Sequence, residues 1–291
     1  MKFVQILFVA CLLGFSNFSF GAKVDSLDIP SAAMGKTYKA AVVLPSSYAN
    51  SKQPYPVLYL LHGGGGQFSD WLSKTPDKML LHKLADQYNL IIVTPEGERL
   101  GGYLDSPIQK DNKFETYITQ EVVEKIDKTY RTIRDRKGRV ITGLSMGGHG
   151  ALFLSGRHPE LYCAAGSMSG ALDLNVDTWK LDPETIKRIS PGFERILGPK
   201  GATPDQYAAH SVVYMAEKLK TNDVRLIIDC GVDDFLIEPN RELHRRLVYN
   251  KTPHDYIERP GGHTWDYWEN SLPYHVLFFH KVLKANGSVI P

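Results

Sequence analysis

A glycine-rich pentapeptide, Gly143-Leu144-Ser145-Met146-Gly147, contains the residue best suited to nucleophilic chemistry in this chain. A β-branched run, residues 140–142, precedes it, and small residues that can begin a helix follow it. A serine on a sharp strand-to-helix turn crowds the neighbouring backbone, and glycine at both flanking positions relieves that crowding. The pattern therefore predicts a nucleophile elbow, with Ser145 exposed above a helix N-terminus that favours negative charge.

A nucleophilic serine needs a base to take its proton, and His263 has a suitable position for that base. It follows the last predicted strand and two glycines, Gly261 and Gly262, which let the loop approach the serine closely. Most other histidines fall inside or at the ends of predicted helices, where packed or surface roles are expected. The aromatic residue Trp265, beside His263, is predicted to line a substrate pocket, with packing of the last helix as the alternative.

The acid that orients the base is expected in the loop after the preceding strand, because such sheets present serine, acid and histidine in that chain order. This loop contains two adjacent carboxylates, Asp233 and Asp234. Adjacent side chains diverge, so only one of the two can face His263. We favour Asp234, with Asp233 as the alternative and with Asp173 and Asp177, after an earlier strand, as more distant candidates.

Two backbone N–H groups are predicted to bind the oxyanion that forms during acyl transfer. One belongs to Met146, directly after the nucleophile, and the other to Gly64, in a glycine-rich loop that follows an early strand. His62 and Gly63 of the same loop are predicted to lie against the substrate. The alternative of a phosphate-binding loop is disfavoured, because the Lys-Ser/Thr pair of the Walker sequence does not follow.

Alternating strand and helix patterns place these residues on an α/β fold. Nearly continuous apolar runs such as residues 55–61 are typical of strands buried on both faces of a parallel sheet. The order of elements predicts a doubly wound, mostly parallel sheet with helices on both faces. Strands are predicted at 38–44, 55–61, 90–94, 139–142, 163–168, 224–230 and 255–259, and helices at 78–88, 114–130, 146–157, 211–220, 240–249 and 265–283. Residues 170–203, rich in proline and glycine, are predicted to be an insertion over one end of the sheet.

The composition is that of an ordinary globular protein, with 291 residues, 43% hydrophobic, 23% charged and a formal net charge of +2. Without internal repeats or linkers, residues 23–291 are predicted to form a single domain. No basic run is interleaved with aromatic residues, which disfavours nucleic acid as a partner. No metal site and no cofactor are predicted, because the usual ligand spacings are missing. Cys163 and Cys230 are expected at opposite ends of neighbouring strands, as two buried thiols rather than a disulfide.

Residues 1–22 are predicted to be a secretory signal peptide. Lys2 precedes an apolar run, residues 3–15, which is followed by small and polar residues. The run is short for a spanning helix, and the alternatives are an uncleaved anchor and a lipoprotein modified at Cys11. The protein is therefore expected to be secreted or periplasmic, without stable membrane association after cleavage.

Several segments resemble the esterase D-like family of α/β-hydrolases, across nearly the whole mature chain. The matching segments are 57–63, 143–148, 158–170, 231–234 and 262–263. The family includes S-formylglutathione hydrolases, tributyrin esterases, secreted feruloyl and acetylxylan esterases, and mycolyltransferases. The resemblance implies the α/β-hydrolase fold, an ester-cleaving activity and an acid at Asp234. It also implies a substrate-side loop around Asp105, where Gly102-Tyr103 replaces the more usual Trp-Tyr.

The combined prediction is a secreted serine carboxylesterase acting on a small-molecule or polysaccharide ester. Formylglutathione hydrolases work inside the cell whereas plant-polysaccharide esterases are exported, so the predicted signal peptide favours feruloyl or acetyl esters of xylan. The alternatives are a formylglutathione hydrolase or tributyrin-type esterase, an acyltransferase to a sugar hydroxyl, and an inactive hydrolase scaffold that binds glycans.

Overall fold

A single eight-stranded sheet organises the computed structural model, which describes residues 21–290. The strands are β1 (Lys23–Ser31), β2 (Lys36–Leu44), β3 (Val57–Leu61), β4 (Ile91–Pro95), β5 (Arg139–Gly143), β6 (Ala164–Met168), β7 (Arg225–Gly231) and β8 (His254–Arg259). Their order in the sheet is β1-β2-β4-β3-β5-β6-β7-β8. β1 and β2 pair antiparallel, β2 is antiparallel to β4, and the remaining pairs are parallel. The predicted doubly wound, mostly parallel α/β fold is confirmed.

Ten α-helical segments connect and follow these strands in the described part of the chain. They are α1 (Asp70–Ser73), α2 (Leu80–Tyr88), α3 (Phe114–Thr116), α4 (Val123–Thr129), α5 (Met146–Arg157), α6 (Pro183–Leu197), α7 (Pro204–His210), α8 (Ala216–Thr221), α9 (Ile237–Tyr249) and α10 (Trp265–Ala285). A π-helical segment, Tyr117–Val122, joins α3 to α4. Most predicted elements match within three residues, whereas β1 and the full length of α6 were not predicted.

Both faces of the sheet are covered by helices, as the side chains of β3 demonstrate. Val57, Tyr59 and Leu61 belong to one apolar cluster, to which α4, α5 and α9 contribute. Leu58 and Leu60 belong to a second cluster, which α2 and α10 complete. Successive side chains of a strand point to opposite faces, so a strand covered on both sides must be apolar throughout. All five residues of β3 are accordingly buried.

The predicted signal peptide lies outside the described residues, apart from Gly21 and Ala22. The alternative lipid attachment site, Cys11, lies outside them as well. Among residues 21–290, no helix combines the length and the apolar character that crossing a bilayer requires. Cys163 and Cys230 are both buried free thiols, as expected.

A buried ion cluster ties the end of α5 to the start of α3. Arg157 Nε and His158 Nε2 lie 2.6 and 2.8 Å from the same Glu115 carboxylate oxygen. Burial alone would raise the pKa of Glu115, but the hydrogen bonds from His158 and Arg157 outweigh it and lower this pKa below its ordinary value. The hydrogen bond to Glu115 raises the pKa of His158 in return. The cluster therefore holds α5, the helix that directly follows Ser145, against α3.

Replacing Glu115 with glutamine is expected to lower the melting temperature by about 3–6 °C near pH 6, because Arg157 and His158 lose the buried carboxylate that they share. The stability from the lowered pKa of Glu115 is present above its ordinary value of 4.5 and is lost as the pH falls through the lowered pKa. The stability from the raised pKa of His158 is complete below 6.5 and is lost as the pH rises through the raised pKa. The drop in melting temperature caused by Glu115→Gln should thus be largest between pH 4.5 and pH 6.5 and smaller at pH 9. Thermal unfolding at each pH measures it.

Glu160→Gln is the matched control for this substitution. Glu160 also contacts His158, at 3.3 Å, but its side chain is 64% exposed, so water screens the interaction. An equal loss of stability in the two variants would contradict the role assigned to the buried cluster.

Candidate active site

Ser145 lies on a strained turn between β5 and α5. Its backbone has φ 55° and ψ −116°, and residues other than glycine seldom adopt positive φ values. Its N–H donates to the Met168 carbonyl oxygen at 2.9 Å, which fixes the turn to the end of the adjacent strand β6. The side chain therefore stands at the carboxyl end of the sheet, directly before the first turn of a twelve-residue helix.

The glycines on either side of Ser145 make this turn possible by packing backbone against backbone. A Cβ atom on Gly143 would lie 2.6 Å from the Gly147 carbonyl oxygen, and a Cβ atom on Gly147 would lie 2.6 Å from the His62 carbonyl oxygen. Real Cβ atoms do not approach other atoms so closely, so α5 contacts the end of β3 at a distance that only glycine allows.

Gly147→Ala is expected to destabilise the fold by about 2–3 kcal/mol, because a methyl group must displace backbone atoms rather than flexible side chains. The free energy of unfolding in urea measures this effect. Gly64→Ala is the control for stability, since its added Cβ would meet no atom closer than 3.8 Å. Equal urea midpoints for the Gly147→Ala variant and the unchanged chain would refute the close-packing argument.

His263 connects the serine to a buried carboxylate. His263 Nε2 lies 3.0 Å from Ser145 Oγ, and His263 Nδ1 lies 2.9 and 3.1 Å from the two carboxylate oxygens of Asp234. A carboxylate only accepts hydrogen bonds, so Nδ1 carries the proton and Nε2 keeps a lone pair for the serine hydroxyl. This is the tautomer that general-base chemistry at Ser145 requires.

The two candidate acids have different environments. Asp234 is fully buried, and one of its oxygens also accepts the Leu236 N–H at 2.8 Å. Asp233 is exposed, and its contact with the histidine loop is made by its backbone N–H, which donates to the Gly261 carbonyl oxygen at 3.0 Å. The structure therefore brings Asp234, and not Asp233, to His263.

The loops that carry the acid and the histidine are packed directly onto each other. They follow the neighbouring strands β7 and β8, and a Cβ atom on Gly231 would lie 2.2 Å from the Gly261 carbonyl oxygen. The His263 ring also contacts the rings of Phe235 and Trp268, with centroid distances of 4.5 and 4.8 Å. These contacts fix the position of the imidazole between Ser145 and Asp234.

The amides of Gly64 and Met146 lie beside Ser145 and are available to an oxyanion. A Cβ atom on Gly64 would be 4.0 Å from the Met146 Cβ, so the two residues are neighbours. Within residues 21–290 no protein group accepts a hydrogen bond from either N–H, although the adjacent Gly65 N–H donates to the Arg99 carbonyl oxygen at 2.6 Å. Two unengaged donors beside a nucleophile can stabilise the charge of a tetrahedral intermediate.

A cavity of about 520 Å³ opens beside Ser145, His263 and the two amides. Its lining is predominantly apolar, which suits an apolar group of a bound ester. The lining residues from the loops around the strand ends and from the first turn of α5 are Gly64, Leu100, Gly102, Ser145, Met146, His149, Ala171, Leu174, Trp179, Leu181, Phe235 and His263. The helix α6 supplies the remaining ones, Thr185, Arg188, Ile189, Gly192, Phe193 and Ile196.

The contribution of α6 was not predicted, although the sequence carries a signal for it. Ile189, Phe193 and Ile196 recur at helical spacing, so they lie on one face. The proline inside the helix, Pro191, suggested several short pieces instead of one helix of fifteen residues. The insertion predicted at 170–203 thus forms one wall of the cavity.

His149 lies under the cavity as a neutral side chain. Burial lowers its pKa to about 4. Its Nε2–H donates to the His210 carbonyl oxygen at 2.7 Å, and its ring stacks on Phe153 at a centroid distance of 5.3 Å. These contacts pack His149 on α5 just after the serine turn, and the residue also lines the cavity.

Four residues predicted to contact substrate, His62, Gly63, Asp105 and Trp265, do not line the cavity. His62 is buried, with one ring nitrogen 2.9 Å from the Gly63 carbonyl oxygen and the other 3.2 Å from the Glu96 carboxylate. A Cβ atom on Gly63 would lie 2.5 Å from the Leu144 Cδ1, so Gly63 packs against the elbow. Both residues shape the loop that presents the Gly64 amide.

The other two predicted substrate residues also hold structural elements in place. Asp105 accepts hydrogen bonds from the Thr116 N–H at 3.0 Å and the Thr116 hydroxyl at 2.7 Å, near the start of α3. Trp265 packs edge-to-face against Trp71 and Trp268, with centroid distances of 5.3 and 5.4 Å. The alternative of helix packing therefore describes Trp265 better than pocket lining.

In residues 21–290 no group of three or more His, Cys, Asp or Glu side chains is arranged to hold a metal ion.

The sheet order, the strained serine turn and the serine–histidine–carboxylate contacts define an α/β-hydrolase. The family model described as Putative esterase matches residues 31–279, and the chain belongs to this family. The family description and the esterases among the relatives support an esterase function for the chain. The predicted fold class and family are confirmed.

Individual relatives support the same assignment. An acetyl esterase of Caldicellulosiruptor saccharolyticus is 29% identical over 74% of this chain and 79% of its own length. An esterase of Mycobacterium tuberculosis is 27% identical over 80% of this chain, which spans 54% of that protein. Among solved structures, a ferulic acid esterase has a TM-score of 0.74 and 30% identity, covering 90% of this chain and 99% of its own.

Proposed function

We propose that this chain is an exported serine carboxylesterase that cleaves feruloyl or acetyl esters of plant polysaccharide by an acyl-enzyme mechanism. The observation that carries the proposal is the continuous contact from Ser145 Oγ through His263 to Asp234, at 3.0 and 2.9 Å. Residues 23–291 act as one catalytic domain in this proposal. Export is inferred from the apolar segment of residues 3–15.

The reaction proceeds in two halves. Ser145 Oγ attacks the ester carbonyl carbon while His263 Nε2 takes the hydroxyl proton, and the amides of Gly64 and Met146 bind the resulting oxyanion. Collapse of this intermediate breaks the bond to the alcohol oxygen, which leaves with the proton from His263. A water molecule, deprotonated by His263, then attacks the acyl-enzyme, and Ser145 recovers its proton as the acid is released.

The substrate class rests on the cavity and on the relatives together. The walls of the cavity contain Trp179, Phe193 and Phe235, which offer rings to a planar acyl group. One relative is named an acetyl esterase and a similar structure is a ferulic acid esterase. A cavity of about 520 Å³ has room for acyl groups that range in size from acetyl to feruloyl.

Hydrolysis of methyl ferulate, p-nitrophenyl acetate and acetylated xylan by residues 23–291 tests this proposal. Preference for methyl ferulate would support a feruloyl esterase, whereas preference for the acetyl substrates would support a deacetylase. No turnover of any of the three, together with no labelling by a fluorophosphonate, would overturn the proposed activity. Product analysis with an added sugar acceptor separates hydrolysis from acyl transfer.

A further inference from the structure

The predominantly apolar cavity contains, within residues 21–290, a single permanently charged side chain, and its charge is positive. Among the lining residues, no side chain is an aspartate or a glutamate, and one side chain is a permanent cation, Arg188 on α6. Of the two lining histidines, His149 is neutral at pH 7 because burial lowers its pKa to about 4. His263 serves as the base in the proposed mechanism.

Arg188 has no partner within the described residues. No carboxylate oxygen in residues 21–290 lies within 4.0 Å of its guanidinium, and no protein group accepts a hydrogen bond from it. Some other arginines of the chain are paired with carboxylates, as Arg157 is with Glu115 and Arg241 with Glu258. A guanidinium that lines a cavity without a carboxylate of its own has its donors free for a bound anion.

The surroundings of Arg188 strengthen such an interaction. It shares the cavity wall with Ile189 and Phe193 on the same helix and with Leu181 before it. Apolar neighbours lower the local dielectric constant, so an anion in the cavity is attracted more strongly than one at an open surface. Arg188 itself is exposed to solvent, which limits the gain to the range of a screened surface ion pair.

We infer that Arg188 binds a carboxylate or another anionic group carried by the ester substrate, so that the site selects esters with one negative charge near the scissile bond. The inference rests on the proposed esterase function and adds the charge of the substrate to it. The acyl part and the alcohol part of the ester are the two positions for this anionic group, and each is tested separately below. Because its charge does not change during acyl transfer, Arg188 should act mainly on KM and little on kcat.

Two pairs of esters, matched in size and different in charge, test the inference. For the acyl part, the p-nitrophenyl monoester of adipic acid is compared with p-nitrophenyl hexanoate. For the alcohol part, 4-acetoxybenzoate is compared with 4-acetoxybenzamide. Spontaneous hydrolysis is subtracted in each case. We expect kcat/KM to favour the anionic member of at least one pair by about five- to tenfold, mainly through a lower KM.

Arg188→Gln should remove this preference while retaining turnover of the neutral esters, and Arg188→Lys should restore part of it. Lys187→Gln is the matched control, because Lys187 lies one residue earlier on α6 and does not line the cavity. The preference should also fall as the sodium chloride concentration rises from about 20 to 500 mM. If Lys187→Gln removed the preference for anionic esters as fully as Arg188→Gln does, the preference would come from the general surface charge. That result would overturn the inference.

The outcomes separate this inference from the proposed function. Turnover of the neutral esters without any preference for an anionic partner overturns the role of Arg188 and leaves the esterase activity intact. Turnover of no ester at all, by a chain that remains folded, overturns both proposals. An anion preference that persists in Arg188→Gln overturns the assignment to Arg188 alone.

Discussion

Replacing Ser145 with alanine is expected to reduce kcat/KM for any ester substrate by about 10⁴-fold or more, while the fold remains intact. The reason is that Ser145 Oγ forms the acyl-enzyme in the proposed mechanism, and neither His263 nor the two amides can replace it. The loss should appear in kcat and be accompanied by the loss of labelling with a fluorophosphonate. Initial rates with p-nitrophenyl acetate provide the measurement.

Ser155→Ala is the matched control for this experiment. Ser155 lies on the same helix, α5, and its hydroxyl donates to the Leu152 carbonyl oxygen at 3.2 Å, within the helix. Its removal should change the activity by less than about twofold, since it touches no group of the cavity. Retention of substantial activity in Ser145→Ala would exclude the acyl-enzyme mechanism proposed for this site.

Replacing Asp234 with asparagine should lower kcat/KM by about 10³- to 10⁴-fold. An asparagine amide can donate to His263 Nδ1, which favours the tautomer with the proton on Nε2, where it blocks proton transfer from Ser145. Asp234 also accepts the Leu236 N–H at 2.8 Å, a bond that the asparagine oxygen can keep. The fold should therefore survive, as circular dichroism and urea unfolding can establish.

Asp233→Asn distinguishes the two adjacent carboxylates. Asp233 is exposed and its side chain has no contact with His263, so its substitution should change kcat/KM by less than about threefold. A larger loss in Asp233→Asn than in Asp234→Asn would contradict the geometry and return the role of the acid to Asp233.

The parts of the site that short-range rules govern could be predicted from the sequence. The elbow follows from Gly143, Ser145 and Gly147, because the steric demand of the turn is local and only glycine meets it. The apolar runs predicted the parallel sheet, and the sheet order then placed the later loops beside the serine. The choice of Asp234 over Asp233 used the same order together with the family resemblance, and the structure brings Asp234 to His263.

The substrate side of the site could not be predicted in the same way, because tertiary contacts decide it. Trp265 is an aromatic residue beside His263 in the sequence, yet Trp71, nearly two hundred residues earlier, holds its ring away from the cavity. Similarly, the Asp105 carboxylate accepts a hydrogen bond from the Thr116 hydroxyl and does not line the cavity. β1 was missed because it lies at the edge of the sheet and packs against one neighbouring strand only. The alternation of polar and apolar residues in such an edge strand is weak.

The position of β8 at the end of the sheet makes the histidine the least securely anchored member of the catalytic group. Ser145 and Asp234 follow strands that have neighbours on both sides, whereas β8 pairs with β7 alone and none of its residues is fully buried. Local opening reaches the edges of a sheet at a lower free energy than its centre. Activity therefore depends on whether this edge of the sheet is folded, and the edge can open while the rest of the sheet stays intact. Mild denaturant should inactivate the enzyme, and speed amide hydrogen exchange in β8, before the central strands unfold.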